Sequence, residues 1–341
     1  MVTVKDIAKA SGVSPSTVSI ILNGKSEERK ISEKTCEKVW NTVRQLGYQP
    51  NIAARTLRER GENDIRTIAL YWANDFRTFM LSRFLKGLES AASPDAPPYE
   101  IVVFTYSNGQ LARQSALLSG KRFHAAIIAN ASEKDMEFIQ KAVFPVPVAL
   151  YNRFIPDHYC VTVDNYKMGQ LAANAVLLRN KCRPWILTTD PFPGMELRIQ
   201  GFCDTLAVRN IAVAREHILC AQNTMASGNE TTQKLLHRVS GKGFDNSLCD
   251  SIFCLSDAVA HGALFTLNRA GIDIPGQISV ISIGNGEASH NQYAIPPLSN
   301  VYLPMEDMAR TCLDILLELL EHKAPIQKNI VLDTPLRMLE S

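Results

Sequence analysis

The sequence has no apolar run approaching the roughly 18–20 residues that a membrane-spanning helix needs. Its opening, MVTVKDIAKASG, has none of the apolar stretch that follows the basic start of a secretory signal, so the cytoplasm is the expected location. Cysteine pairing is also missing. The eight cysteines fall at 36, 160, 182, 203, 220, 249, 254 and 312, with no CxxC spacing and no histidine beside them at metal-ligand spacing. They read as small, reduced core residues rather than a disulfide framework or a zinc site. There is no Walker A loop, no HExxH and no G-x-S-x-G elbow. Gly284-x-Gly286 lacks the third glycine of a dinucleotide fingerprint, with Ser289 in its place, and Gly241-x-Gly243 lies in a polar loop. The seven histidines are scattered. These absences predict a protein that is no enzyme and that uses neither a metal nor a cofactor.

What is present is length and core material. At 341 residues, 46% hydrophobic and 21% charged, the chain can bury cores in two or three domains. The net charge of +2 conceals an asymmetry. Residues 1–60 hold eleven Lys/Arg against six Asp/Glu, a net of +5, so the remaining 281 carry −3. A basic head on a slightly acidic body predicts a polyanion contact at one end.

The head has helix punctuation. Thr3-Val4-Lys5-Asp6 has the form of a capping box with Thr3 as N-cap. Val4, Ile7, Ala8 and Ser11 share a face, and Gly12 stops the helix. Ser14 then caps a second helix with Pro15 at its first position, where a missing N–H costs nothing. Val18, Ile21 and Leu22 form its buried stripe, and Asn23-Gly24 ends it. Two short helices joined by a tight turn outline a helix-turn-helix. A third helix is expected from about 32 to 46, with Val39, Val43 and Leu46 at helical spacing and Gly47 closing it. Three helices sharing one core leave the second free to enter a major groove.

Val4-Lys5-Asp6-Ile7-Ala8, Gly12-Val13-Ser14, Ser16-Thr17-Val18-Ser19, Leu22-Asn23-Gly24 and Leu46-Gly47-Tyr48-Gln49-Pro50-Asn51, continuing through Ala54-Arg55-Thr56-Leu57-Arg58, resemble the lactose-repressor/galactose-repressor family of bacterial transcriptional regulators. The resemblance implies that Pro15, Ser16 and Ile20 face base edges. Ile20 stands where Arg or His is frequent, and an alkyl side chain offers a base only apolar contact, as with a thymine methyl. The other reading of Ile20 is that it packs inward beside Val18 and Ile21. Thr3, Ser14, Thr17, Ser19 and Asn23 fit phosphate contacts, which set register without reading sequence. Ser14 fits both a cap and a phosphate contact.

Residues 50–60 are too short for a stable isolated helix. The resemblance makes them a hinge helix that pairs in a dimer and enters the minor groove, with Asn51, Ala54, Arg55 and Leu57 at the DNA and Leu57 as an apolar wedge. The competing reading is a plain linker with Leu57 resting on the body.

Beyond Arg66 the pattern changes to alternating strands and helices. Strands are expected at 67–71, 99–105, 125–129, 146–151, 160–163, 184–188, 251–255 and 278–283. Helices are expected at 79–92, 110–118, 166–178, 197–207, 228–239 and 258–270. This predicts parallel sheets covered by helices. The expected fold class is therefore an all-α helix-turn-helix head on an α/β core. The resemblance makes that core periplasmic-binding-protein-like, with two lobes. The expected divisions are 1–49 for the DNA-binding head, 50–60 for the hinge and 61–341 for the effector-binding and dimerisation core. Within the core, lobe 1 is expected at about 61–164 and 294–326, and lobe 2 at about 165–293 and 327–341.

Ligands of such folds bind in the crevice at the carboxyl ends of the strands. Val163-Asp164-Asn165, Arg198 with Gly201-Phe202, and Ser256-Asp257 agree with the family, and Asp164 and Arg198 match effector contacts. Arg198 suits a carboxylate or a hydroxyl pair through its rigid fork. Asp257 reads equally as a cleft ligand or as the N-cap of the following helix. Several positions depart from the family. Ala73-Asn74-Asp75-Phe76 replaces an Asn-Pro-Phe-like segment, and Ser282-Ile283-Gly284-Asn285 replaces Gly-Phe-Asp-Asp, so a sugar-binding carboxylate becomes Gly284. Ser256 stands for a usual Asn, and an aromatic wall near Asn223 is missing. Asn74, Tyr151, Arg153 and Asn285 are candidates to replace lost contacts. The implied partners are a double-stranded DNA operator, a small-molecule effector that includes sugars and their derivatives, and a second copy of the chain. With no heptad tail before Ser341, a dimer is expected over a coiled-coil tetramer. Two other readings stand beside this one: a constitutive regulator with a degenerate cleft, and a solute-binding or enzymatic module fused to a DNA-binding head.

Overall fold

The computed structural model describes residues 3–22, 26, 29–46, 65–75, 80–89, 98–189, 193–239, 247–323, 325 and 327–341. In chain order, the head contains α1 (Val4–Ser11), α2 (Pro15–Leu22) and α3 (Glu33–Leu46). The core continues with β1 (Arg66–Ala73), α4 (Leu81–Glu89), β2 (Tyr99–Tyr106), α5 (Ser115–Ser119), β3 (Ala125–Ala129), α6 (Glu133–Lys141), β4 (Val148–Tyr151) and β5 (Tyr159–Val163). Then come α7 (Asn165–Leu178), β6 (Pro184–Thr188), α8 (Pro193–Ala207), β7 (Ile218–Cys220), α9 (Met225–Val239), β8 (Ser251–Cys254), α10 (Asp257–Arg269), β9 (Ser279–Gly284) and α11 (Ala288–Gln292). The chain closes with β10 (Ser299–Tyr302), α12 (Met305–Leu320), β11 (Asn329–Leu332) and β12 (Leu336–Arg337).

The three head helices form where their caps and apolar stripes predict. Thr3 accepts a hydrogen bond from the Asp6 N–H while Asp6 accepts one from the Thr3 N–H, and Gly12 turns the chain out of α1 at φ 61°. Ile7, Ala8, Val18, Ile21, Val39 and Val43 bury a shared core, with Val4, Val13, Leu22, Ile31 and Cys36 packed around it. Leu46 differs from expectation. It is exposed, because the three-helix core is already closed by Val39 and Val43 one and two turns earlier.

The core holds two sheets, in the orders β11-β5-β4-β3-β1-β2 and β12-β10-β9-β8-β6-β7. The first is parallel throughout. The second is parallel except for β12, which runs antiparallel to β10. Central strands such as β1 and β3 are buried on both faces, which is why they read as continuous apolar runs rather than alternating ones. One buried cluster extends from Ile68, Leu70 and Trp72 of the first sheet, through Met308 and Leu313 of α12, to Phe202, Phe253 and Ile281 of the second.

The lobe boundaries expected near 294 and 327 need correction. β10 pairs with β9 in the second sheet, whereas the expectation placed 294–326 in the first lobe. β11 pairs with β5 in the first sheet, whereas the expectation placed 327–341 in the second. The chain thus crosses between sheets after β5, after β10 and after β11. Strands of two to four residues have no periodicity of their own, so only pairing assigns them.

Candidate nucleic-acid interface and effector cleft

On α2, Val18 and Ile21 point into the head core, at 0% and 2% exposure. Pro15 and Ser16 are exposed on its first turn and Ile20 is half-exposed one turn later. Ile20 is not part of the buried core, so the inward-packing reading fails. The polar groups at this end are engaged with one another. Ser14 Oγ accepts from the Thr17 N–H at 3.1 Å and lies 2.8 Å from Thr17 Oγ1 and 2.9 Å from Ser16 Oγ. Ser14 therefore caps α2 as expected. Thr3 Oγ1 donates to Asp6 Oδ2 at 2.8 Å, and these bonds hold the Asp6 carboxyl below its usual range. Ser19 is half-exposed on α2. Asn23, Asn51, Ala54, Arg55 and Leu57 lie outside the described residues.

The crossovers leave the carboxyl ends of β5, β10 and β11, and in folds of this kind ligands bind at the carboxyl ends of the strands. On the first sheet, Asn74 is exposed just after β1, its N–H donating to the Tyr106 carbonyl at 2.7 Å. Asp164 is the N-cap of α7 and accepts from the Lys167 N–H at 2.9 Å. Asn165 beside it accepts from Arg198 Nε at 2.9 Å, which brings the Asp164 and Arg198 segments together. Arg198 is 3% exposed, and burial pushes its guanidinium pKa down to about 10. Two packing glycines fix this approach: a Cβ on Gly169 would overlap the Arg198 carbonyl, and one on Gly201 would overlap the Tyr166 carbonyl.

The second lip is a connected polar cluster. Ser256, fully buried, caps α10 by accepting from the Ala258 N–H and donates to Asn223 Oδ1. Asn285 Oδ1 accepts from the Asp257 N–H at 3.1 Å. The Asp257 carboxylate accepts from Ser282 Oγ, the Gly286 N–H at 2.9 Å and Asn291 Nδ2 at 2.9 Å. Burial pushes its pKa up, against those three hydrogen bonds. Asn291 Oδ1 in turn lies 3.1 Å from His261 Nε2, and burial pushes the imidazole pKa down. Asp257 is therefore the first residue of α10 and not its N-cap. Its carboxylate ties α10 to β9 and to the segment after it.

One expected cleft residue lies in the core and another is bonded to the carboxyl rim of its own sheet. Tyr151 is 1% exposed, with its ring 4.8 Å from Phe84 and 6.5 Å from Trp72, because β4 is a central strand and its last side chain enters the core. Arg153 is turned onto its own sheet end, donating to the carbonyls of Ala131 at 2.6 Å and Asn152 at 2.6 Å.

Sequence reasoning missed Arg83. From α4 its Nε donates to Glu306 Oε1 at 2.7 Å. Nη2 donates to Glu306 Oε2 at 2.6 Å, to Tyr302 Oη at 2.9 Å and to the Leu303 carbonyl at 3.0 Å. Nη1 donates to the carbonyls of Gly286 at 2.9 Å and Gly284 at 3.3 Å. Burial opposes both charges. The Arg83–Glu306 bonds overcome that, raising the Arg83 pKa and holding the Glu306 carboxyl below its usual range. The partners are more than two hundred residues apart in sequence, so no local spacing signals them. The same junction explains Gly284: a Cβ there would stand 2.6 Å from Asn300 Oδ1, so the position accepts no side chain without moving Asn300.

A helix-turn-helix head joined to a two-sheet core with its polar residues at the carboxyl ends has the architecture of a DNA-binding regulator. Comparison with known proteins agrees. The sequence pattern of bacterial regulatory proteins of the lacI family matches residues 3–51, and that of the periplasmic binding protein-like domain matches residues 167–338. The crystal structure of a LacI family transcription regulator from Clostridium acetobutylicum is 31% identical, with a TM-score of 0.75, covering 81% of this chain and 100% of that one. The transcriptional regulator GalR of Escherichia coli is 26% identical over 329 residues, 95% of this chain and 90% of GalR. The transcriptional repressor PurR of Aliivibrio fischeri is 27% identical over 331 residues, 95% of this chain and 93% of PurR. The fold is shared with the lac repressor dimer bound to operator, at a TM-score of 0.68 and 21% identity, covering 99% of this chain and 98% of that one. The chain belongs to the LacI family of bacterial regulatory proteins and is a DNA-binding transcriptional regulator. Among the described residues, no helix is long and apolar enough to cross a membrane.

Proposed function

We propose that this protein is a cytoplasmic, non-enzymatic repressor. It binds a palindromic operator as a homodimer and is controlled by a small molecule between the lobes. The observation that carries the reading is an α2 with its first turn exposed beside a core whose polar side chains gather at the carboxyl ends of the strands, with Arg83 of α4 bonded to the ends of β9 and β10. In this reading residues 1–49 grip DNA, residues 50–60 form the hinge and the rest forms the core. Pro15, Ser16 and Ile20 meet base edges, while Thr3, Ser14, Thr17, Ser19 and Asn23 meet phosphates. Asn51, Ala54, Arg55 and Leu57 enter the minor groove. Asn74, Asp164, Arg198, Asn223, Ser256 and Asn285 line the effector crevice, with Asp257 holding that lip together. A second copy of the chain is supported by exposed apolar side chains on both lobes: Val102 and Val103 on the edge strand β2, and Phe265, Tyr293 and Ile295 on the second lobe. Effector binding changes how the lobes are joined and so orders or melts the hinge, coupling two sites through one two-state element.

The test is fluorescence anisotropy on a DNA duplex selected with the full chain. Affinity should fall about 10³–10⁵-fold between roughly 50 and 200 mM salt if six to ten phosphates are contacted. A flat response would remove the polyanion contact. Leu57→Ala should weaken the selected duplex far more than random DNA, and equal losses would remove the wedge. A thermal-shift screen of sugars, sugar phosphates, nucleosides and carboxylates tests the crevice. No shift from any of them, with Arg198→Ala also silent on DNA binding, would instead support a constitutive regulator, the reading favoured by the absent side chain at Gly284.

A further inference from the structure

Helix α2 carries no charged side chain. Its eight residues are PSTVSIIL, and two of its four large apolar side chains, Val18 and Ile21, are spent on the head core. Ser16 and Ile20 stand one turn apart on the outward side, as do Pro15 and Ser19. The Ser16 and Thr17 hydroxyls are already bonded to Ser14 Oγ. What α2 presents to base edges is therefore the pyrrolidine ring of Pro15, the alkyl side chain of Ile20 and a Ser16 hydroxyl shared with Ser14.

Purines are selected in the major groove by bidentate hydrogen bonds, with Arg or Lys on guanine and Asn or Gln on adenine. None of these four residue types occurs on α2. The one feature of the major groove that suits an alkyl or pyrrolidine surface is the C5-methyl group of thymine. We infer that α2 reads its half-site through pyrimidine C5-methyl groups, met by Ile20 and Pro15, and not through bidentate hydrogen bonds to purines. This rests on the reading of the head as a major-groove binder. It also has a chemical corollary. Cytosine methylated at C5 carries the same methyl group in the same place, so 5-methylcytosine substitutes for thymine at these contacts. Binding by this protein is then sensitive to cytosine methylation within its site.

The experiment selects a duplex from a randomised library with the full-length chain. Each thymine is then replaced singly by deoxyuridine, and 5-methylcytosine is compared with cytosine at the same positions. Loss of one buried methyl should weaken binding about fourfold at one or two positions per half-site, and 5-methylcytosine should bind correspondingly better than cytosine there. Ile20→Ala, and the milder Ile20→Val, should shrink the uracil penalty at one of those positions while keeping the salt dependence. Equal binding of uracil and thymine at every position overturns the inference, as does an undiminished uracil penalty in both Ile20 variants. Failure to enrich any sequence overturns the reading of the head itself, and the inference with it.

Discussion

Replacing Arg83 by Met should do more than remove one ion pair. Its side chain is 3% exposed, and it joins α4 to Glu306, Tyr302 and Leu303, to the end of β9 at Gly284 and to Gly286 just beyond it. Met matches the length of the stem but leaves a carboxylate and three carbonyls facing no donor from this side chain. Removing one partner of a buried ion pair costs about 3–5 kcal/mol. The Glu306 side chain keeps 22% exposure, so some hydration is available and the lower end, about 3 kcal/mol, is expected. Glu306→Gln should cost less, about 1–2 kcal/mol, because Arg83 keeps its carbonyls and Tyr302. The double variant should be more stable than the sum of the two singles by about 1–2 kcal/mol, since it strands no charge. The chain supplies its own probes, with three tryptophans divided between head, first sheet and second sheet: Trp40, Trp72 and Trp185. Urea unfolding of variants that retain one tryptophan each reports the units separately. With Arg83 in place the Trp72 and Trp185 transitions should coincide; without it they should part. Additive single substitutions, with coincident transitions throughout, would refute the idea that Arg83 joins the lobes.

The second lip gives two further predictions. Asp257→Ala strands Ser282, Asn291 and the Gly286 N–H at once and should cost about 3 kcal/mol or more by urea unfolding of the second lobe. Asp257→Asn, which keeps some acceptors, should cost less, and equal losses would mean the carboxylate is not the organising group. Burial holds the folded pKa of His261 below the unfolded value of 6.5. The unfolded chain therefore binds the proton first as pH falls below 6.5, so stability should decline over that interval and be fully regained above it. The raised pKa of Asp257 acts in the opposite direction at lower pH. His261→Gln should flatten the decline near pH 6, as read by thermal unfolding at fixed ionic strength. An unchanged profile would sink the assignment.

The head was legible in the sequence because everything that shapes it is local. Thr3 and Asp6 are three residues apart, Ser14 and Thr17 likewise, and the burial of Ile7, Val18, Ile21, Val39 and Val43 follows from helical spacing alone. The alternation of strands and helices was legible for the same reason, since strands buried on both faces are written as unbroken apolar runs. Even the apolar, uncharged character of α2 can be read without coordinates, although only the packing of Val18 and Ile21 showed that Ile20 faces outward. What the tertiary structure decided depends on contacts between distant segments. Pairing placed β10 and β11 in the sheets opposite to those expected, and the core took Tyr151 from the crevice. Asp257 gained partners at 282, 286 and 291, and Arg83 met Glu306. A side chain's neighbours across more than two hundred residues are set by the close packing of helices and sheets, as where Gly87 lets α4 approach the backbone of Glu306. Local spacing carries no record of that approach, so the sequence by itself determined the helix-turn-helix head and the residues that close its core, and the fold alone determined how the two lobes are tied.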